Sequence, residues 1–299
     1  MLAQAIYHKE KNEPMIHLRL LALLLLPLSL AAQNGMPASA GARGLAMGQT
    51  GLTFADINSI FSNQAGLAFL EGPAFLAFAE QRFMLEELQS FSFGGALPTS
   101  TGTFGLSLNH FGFDDYNEQR VGLAYARRLF SRVALGAQFL MLNTRIPEYG
   151  NKAAFTFELG ALLELIPQLE FGVHLFSPAR VEVAPEEYLP SVLRMGLRYF
   201  PSNSLNLLAE VEKDLDHPVR VKMGAEYKAA EPLALRFGMA TQPVALSFGV
   251  GYRLPNGLGL DVASSYHQLL GFTPAAGLNY QLNKSSSADE DINRRRHAF

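Results

Sequence analysis

The side chains that suggest catalysis lie together near the C-terminal end of the sequence. Asp261, Ser264, Ser265 and His267 fall within one short stretch. An acid, a serine and a histidine are the groups that an acyl-transfer hydrolase uses to orient, attack and move a proton. No nucleophile motif frames these serines, so a polar strand face explains them equally well. We therefore assign no catalytic residue and expect a protein that is not an enzyme, with a hydrolase as the remote alternative.

Metal and cofactor chemistry find no support in the sequence. The chain has 7 histidines and no cysteine, and no His, Asp or Glu spacing matches a metal site. Gly44, Gly48 and Gly51 do not form a phosphate loop, because no strand precedes them and no Lys-Ser or Lys-Thr pair follows. We expect no cofactor and no metal, and a net charge of −3 argues against a nucleic-acid partner.

A larger set of charged residues alternates with apolar ones along the chain. Glu210 and Glu212 precede a turn, and Arg220 and Lys222 follow it. Hairpin pairing would place Glu212 opposite Arg220 and Glu210 opposite Lys222. Such charges either line a polar pathway or form a ladder of ion pairs that packs an interior, and we favour the ladder. The inward-facing charged set is predicted to contain Glu158, Arg194, Arg198, Glu210, Glu212, Arg220, Lys222 and Glu226.

The elements that must position these charges are strands, because the pattern from Pro73 onward has period two. One face of each segment is apolar or aromatic, whereas the other mixes Gly, Ala, Ser and charges. Turn residues separate the segments. Fourteen strands are predicted, at 73–83, 88–97, 101–111, 117–128, 132–145, 152–164, 168–177, 190–200, 204–213, 219–228, 232–241, 243–253, 257–268 and 272–283.

Alternation alone fits two architectures. A secreted, soluble sandwich buries its apolar face, whereas a membrane barrel turns that face to lipid and its polar face to the lumen. Three features favour the membrane: a polar face rich in Gly and Ala, strands of about 9–11 residues, and aromatic residues that end apolar rows, such as Tyr199 and Tyr227.

We therefore predict an all-β, 14-stranded antiparallel transmembrane β-barrel over residues 73–284, surrounded by outer-membrane lipid. Its first strand should pair with its last, because an open sheet edge is not tolerated in lipid. The spacing of the predicted strands leaves only short connections at both ends of the barrel.

The two ends of the chain differ from the strands. His17 and Arg19 precede an apolar run to Ala32 that is shorter than the ~20 residues of a membrane-spanning helix. Residues 1–33 are predicted to be a signal peptide, with 1–14 as an upstream extension if Met15 is the true start. Residues 285–299 form a polar, charged tail, which we expect in the periplasm.

The segment between the signal peptide and the strands is rich in small residues. Its runs Ala42-Arg43-Gly44-Leu45-Ala46-Met47-Gly48, Ala55-Asp56 and Asn63-Gln64-Ala65-Gly66-Leu67-Ala68 resemble the N-terminal signature of the FadL/PorV-type outer-membrane proteins. The resemblance implies that residues 34–72 fold as a hatch inside the barrel. The hatch motif comprises Arg43, Gly44, Met47, Gly48, Asp56, Asn63, Gln64, Ala65, Gly66 and Leu67.

The local chemistry suits such a hatch. Asp56 is placed to cap a short helix over 57–62, whose Ile60 and Phe61 would pack on the barrel interior. Asn63 suits a left-handed residue at the helix end. Gln64 stands where the family has proline, and Gln49-Thr50 stands where it has Gly-Ala.

The functions that the resemblance implies diverge. Members similar to FadL pass hydrophobic molecules across the outer membrane, members similar to PorV dock exported proteins for the type IX secretion system, and a structural barrel without a pore is a third reading. A lateral gate would need a break in strand pairing, which Pro274 or Pro243 would supply, although Pro243 is better explained by a turn. We favour the handling of hydrophobic small molecules. The expected partners are outer-membrane lipid, hydrophobic small molecules, and secretion-system or exported proteins.

Overall fold

The computed structural model describes residues 40–147, 150–179, 181–184 and 187–282. The predicted signal peptide (1–33) and tail (285–299) lie outside these residues. No helix within the described ranges combines the length and the apolar run that crossing a bilayer would require.

Fourteen of the sixteen described strands close into an antiparallel barrel, in which neighbouring strands follow chain order. The first and last strands close the ring, with Ala79 opposite Ala276, as predicted. The barrel strands are β1 (Ala74–Gln81), β2 (Gln89–Pro98), β3 (Thr103–Phe113), β4 (Tyr116–Phe130), β5 (Val133–Ile146), β6 (Gly150–Ile166), β7 (Leu169–Phe176), β10 (Val192–Ser202), β11 (Leu205–Asp214), β12 (Arg220–Ala230), β13 (Leu233–Ala240), β14 (Ala245–Arg253), β15 (Leu258–His267) and β16 (Gly271–Gln281).

The strand prediction is confirmed, since every predicted strand agrees with a barrel strand to within 2 residues at each end. The expectation of short connections is wrong between β7 and β10. This connection spans 177–191 and contains a small hairpin of β8 (Glu182–Ala184) and β9 (Glu187–Tyr188). Val181 and Val183 of the connection pack against a buried apolar cluster that includes Phe176 and Leu189. The connection therefore folds onto the barrel instead of extending away from it.

Side chains alternate in burial along the barrel strands. On β10, Arg194 and Arg198 are 5% and 4% exposed, whereas Met195 and Leu197 are 44% and 41% exposed. The same alternation of buried polar and exposed apolar residues recurs on β11 and β12. The apolar face thus points outward and the polar face inward, the reverse of a soluble sheet protein.

The two ends of the barrel differ in their connections. The end that holds the start of β1 and the finish of β16, the termini mouth, has two-residue connections at 131–132, 167–168, 203–204 and 231–232. The opposite end, the distal mouth, carries the longer connections 82–88 and 177–191. Pro243 lies in the turn between β13 and β14, as expected. Pro274 lies inside β16, and the pairing of β16 with β1 stops at the adjacent residue, Ala275, which lies opposite Glu80.

Candidate functional site: a filled lumen

Residues 40–70, here called the lumen segment, contain three short helical turns. Helix α1 covers Gly41–Ala46, and two 3-10 helices cover Ile57–Phe61 and Gln64–Phe69. Asp56 caps the first 3-10 helix by accepting a hydrogen bond from the Asn58 amide, as predicted. Almost all of these side chains are buried, because the segment packs against the inward-facing residues of the barrel.

The conformation predicted for Asn63 is wrong. Its φ of −153° and ψ of 101° are extended, and its side chain accepts a hydrogen bond from the Ala65 amide. Asn63 therefore begins the second 3-10 helix instead of ending the first. Its Nδ2 donates to the carbonyl oxygens of Leu52 at 2.9 Å and Ala161 at 3.1 Å, so this one side chain joins two parts of the lumen segment to β6.

Glycines of the barrel wall allow the backbone of the lumen segment to come close. A Cβ atom on Gly238 of β13 would lie 2.1 Å from the amide nitrogen of Gly48, and one on Gly136 of β5 would lie 2.3 Å from that of Ala65. Gly160 of β6 likewise faces Asn63, whose Oδ1 leaves no room for a Cβ atom on Gly160. The Gly-rich inner face therefore reflects contact with a second layer of backbone.

The first polar contact between segment and wall is centred on Glu226 of β12. Arg43 donates from Nε to Glu226 Oε2 at 2.9 Å and from Nη2 to Oε1 at 2.5 Å, and it also pairs with Asp56. Arg236 of β13 donates to the same Glu226 at 2.6 Å and to Asp261 at 2.5 Å. Two guanidinium groups thus share one fully buried carboxylate, an arrangement in which each charge is compensated.

The second contact involves Glu210 of β11 and corrects a predicted ion pair. Glu210 faces Lys222 in the strand register, as expected. However, Glu210 Oε1 accepts the amides of Gly51 at 2.7 Å and Leu52 at 2.8 Å. Lys222 instead donates to Glu212 at 2.5 Å, and Arg220 lies 3.8 Å from the other Glu212 oxygen. Glu212 thus pairs with cations of the barrel wall, whereas Glu210 binds the backbone of the lumen segment.

The third contact links Glu158 of β6, His174 of β7 and Arg194 of β10. Glu158 Oε2 accepts from Gln64 Nε2 at 2.5 Å and lies 3.2 Å from His174 Nε2. Arg194 Nη2 lies 2.9 Å from His174 Nδ1 and donates to the Ser62 carbonyl at 2.6 Å. His174 was not among the predicted inward-facing residues. Its inward position on strand 168–177, in line with Arg194 in the neighbouring strand, is the signal that would have identified it.

The remaining predicted residues are spread along the lumen. Arg198 stacks 4.4 Å from the Phe200 ring centroid and lies 3.9 Å from Glu170. Gly44 lies in α1, and Met47 packs on Gly224 of β12. Gly66 lies against the carbonyl oxygen of Phe54. The predicted motif residues therefore share one segment but not one site.

The largest apolar contact between the lumen segment and the wall lies on β1 to β4, and smaller apolar clusters join the segment to β5, β6, β11, β15 and β16. Ile57, Ile60, Phe61 and Leu67 form a buried cluster with residues of β1 to β4, here called the apolar sector. Phe61 meets Phe78 edge-on at a centroid distance of 5.7 Å. The wall residues of the cluster are Ala74, Leu76, Phe78, Ala96, Ala124 and Ala126. The wall side chains that bond the lumen segment in the three polar contacts lie on β6, β10, β11 and β12.

The outer face over the same part of the wall carries a groove. It has a volume of about 880 Å³ and crosses β15, β16 and β1 to β4. The small side chains of Ala77, Ala79 and Ala276 lie among larger ones such as Phe93 and Leu278, their neighbours in register. The groove is therefore apolar and faces the same surroundings as the rest of the outward face.

The residues that suggested a hydrolase are not brought together. Asp261 accepts hydrogen bonds from Arg236 and Asn279. His267 lies at the distal mouth, where its Nδ1 accepts hydrogen bonds from the amides of Leu269 and Leu270. Six residues of extended strand place Asp261 and His267 roughly 20 Å apart. Among the described residues, no cluster of three or more His, Cys, Asp or Glu side chains is placed to hold a metal ion.

Comparison with known proteins identifies the fold. No protein-family model and no curated protein sequence matches the chain. Among solved structures, the Ralstonia pickettii toluene transporter TbuX superposes with a TM-score of 0.65 at 14% identity, over 84% of this chain and 100% of that one. The monoaromatic hydrocarbon channel CymD gives 0.67 at 11% identity over 84% and 100% of the two chains. A Pseudomonas aeruginosa FadL homologue gives 0.57 at 13% identity over 83% and 99%. The chain thus has the fold of these barrels.

Proposed function

We propose that this chain is an outer-membrane barrel that passes hydrophobic small molecules, with the lumen segment as its hatch. An outward apolar face around a closed ring of strands supports the membrane location. The similar solved structures are a toluene transporter, a monoaromatic hydrocarbon channel and a FadL homologue, which supports a transported compound of hydrophobic character. Nothing in these neighbours supports the secretion-system alternative.

The observation that carries the proposal is the apolar sector. Along this side the contact between segment and wall consists of aliphatic and aromatic side chains, including Ile60, Leu67 and Phe78. A charged or sugar-like solute would lose its water there without gaining hydrogen bonds. A hydrophobic compound would exchange one apolar surface for another, at a much smaller cost. The sector therefore selects by polarity.

The charged residues of the lumen have a structural role in this proposal. The lumen segment forms hydrogen bonds with Glu210, Glu226 and Arg194. These side chains are therefore not free to line a path for polar solutes. They hold the hatch on one side and leave the apolar sector as the side along which it separates from the wall. The longer connections of the distal mouth then face the cell exterior, and the termini mouth faces the periplasm.

The test is a deletion strain, with and without the gene on a plasmid. Uptake of radiolabelled toluene and of a long-chain fatty acid is measured, together with the set of proteins at the cell surface. The proposal expects plasmid-dependent uptake of at least one apolar probe and an unchanged surface profile. Normal uptake combined with missing surface proteins would overturn the transport proposal, and recovery of the protein in the soluble periplasm would overturn the membrane location.

A further inference from the structure

His174 is a fully buried histidine whose two ring nitrogens both have partners. Nδ1 faces the Arg194 guanidinium, which carries donors only. Nδ1 must therefore accept, and the single ring proton lies on Nε2, where it is donated to Glu158. The imidazole is neutral in this arrangement, since a second proton would have to be placed on Nδ1, which faces the donor and the positive charge of Arg194.

The same side chains hold one turn of the lumen segment from both ends. Arg194 donates to the Ser62 carbonyl at 2.6 Å, and Glu158 accepts from Gln64 at 2.5 Å. His174 lies between Arg194 and Glu158 and keeps the two in position. We call Gln64, Glu158, His174 and Arg194 the histidine latch.

The charges around the latch come from the wall. Glu158 approaches from β6 and Arg194 from β10, and Arg194 lies opposite Glu212 of β11 in the strand register. The neighbouring charges also include Glu210 of β11 and, on β12, Lys222 and Arg220, which both pair with Glu212. The lumen segment contributes only neutral groups here, at residues 62–64. Glu212 is thus an alternative carboxylate toward which Arg194 can turn.

We propose that the histidine latch couples protonation of His174 to release of the lumen segment. This inference rests on the proposed hatch, but it specifies what controls it. In the closed state His174 has no place for a second proton, whereas water that enters the open state allows its imidazole to take one up. Protonated His174 repels Arg194, which turns to Glu212 and withdraws its donor from Ser62. Acid therefore favours the open state.

The direction and size of the effect follow from linkage. An accessible imidazole gains its proton as the pH falls through about 6.5. Because one proton binds the open state only, the ratio of open to closed molecules rises by up to about tenfold per pH unit below that value. Above it, the ratio is independent of pH.

The experiment measures the opening of the segment without any transported compound. The chain has no cysteine, so Ser62→Cys places one buried thiol beside the latch, and Ser131→Cys places one in the exposed turn between β4 and β5. Both proteins are reconstituted in lipid vesicles and labelled with a neutral maleimide at pH 7.5 and 5.5. Dividing the Ser62→Cys rate by the Ser131→Cys rate removes the pH dependence of the thiol itself.

The expected result is a rate ratio about tenfold higher at pH 5.5 than at pH 7.5. His174→Gln in the Ser62→Cys background should abolish this rise, because an amide accepts from Arg194 and donates to Glu158 but takes no proton. His267→Gln is the matched control and should keep the rise, since His267 caps a turn at the distal mouth.

A flat ratio in the parent protein, or a rise that survives His174→Gln, would overturn the latch. If His174→Gln does not assemble, hydrogen exchange of the Ala65 and Gly66 amides in the unmodified protein gives the same answer. After correction for intrinsic exchange, their protection must fall with acid. A His174-dependent rise without uptake of any apolar probe would uphold the latch and refute the transport function.

Discussion

Lys222 donates its hydrogen bond to Glu212 at 2.5 Å, not to Glu210, which lies directly opposite it in the strand register. Glu210 turns its Oε1 to two backbone amides of the lumen segment instead. Cross-strand position alone would have paired Glu210 with Lys222. Two carboxylates on one strand face thus have different partners. Glu210 binds the lumen segment and Glu212 binds the wall, and the two contributions can be measured separately.

Glu210→Leu should loosen the lumen segment, whereas Glu212→Leu should weaken the wall. Loss of Glu210 leaves two buried amides without acceptors, at about 1–3 kcal/mol each, so Ser62→Cys labelling should accelerate. Loss of Glu212 removes the carboxylate that pairs with buried Lys222 and half-buried Arg220, about 3–5 kcal/mol, so the unfolding temperature followed by circular dichroism should drop. Equal effects of both variants in both measurements would contradict this division.

Gly238→Ala should destabilise the assembled protein, because the new methyl group would lie 2.1 Å from the Gly48 amide nitrogen. Overpacking of this kind costs about 1–3 kcal/mol. Gly95→Ala is the matched control, since its Cβ would meet the Phe75 side chain at an ordinary 3.5 Å. Thermal unfolding in detergent compares the two variants, and an unchanged Gly238→Ala protein would show that the segment does not pack on this wall.

Gln64→Pro should be tolerated better than Gln64→Leu. Both remove the hydrogen bond to Glu158, but proline suits the first position of a helical turn. Asn63, with φ −153° and ψ 101°, already has the extended backbone that a residue before proline adopts. We expect the unfolding temperature to be highest for the parent protein, lower for Gln64→Pro and lowest for Gln64→Leu. Failure of Gln64→Pro alone to assemble would count against a loop of the family type.

Gly105→Ala should reduce uptake of bulky apolar compounds more than of small ones. Its Cβ would lie 3.1 Å from Leu67 and 3.2 Å from Ile60, so it narrows the apolar sector against flexible side-chain ends. Uptake of toluene and of a long-chain fatty acid is compared with that in the outward-facing control Gly95→Ala. If both probes enter the Gly105→Ala strain as fast as the control, the compounds do not cross at the apolar sector.

The strands and their closure could be predicted because period two is a local property of the sequence. Alternation also determined which side chains point inward, and the turn near Asp216 set the register of Glu210 against Lys222. Which inward neighbour each charge selects depends on the lumen segment, so the partners of Glu210 and Glu158 could not be predicted. The extended Asn63 was missed because a capping asparagine and a helix-ending one look alike in sequence.

The meeting of the chain ends at the β1–β16 seam has a consequence for biogenesis. Leu282 donates its amide to the Pro73 carbonyl at 2.9 Å, and this seam is the one barrel pairing that joins strands at opposite ends of the described chain. Every other pair forms between successive barrel strands, so the hairpins can be added in the order of synthesis, with the seam joined last. The lumen segment precedes all the barrel strands in the chain, yet the side chains of its polar partners lie on β6 to β12. Its polar contacts therefore cannot form until those strands are in place.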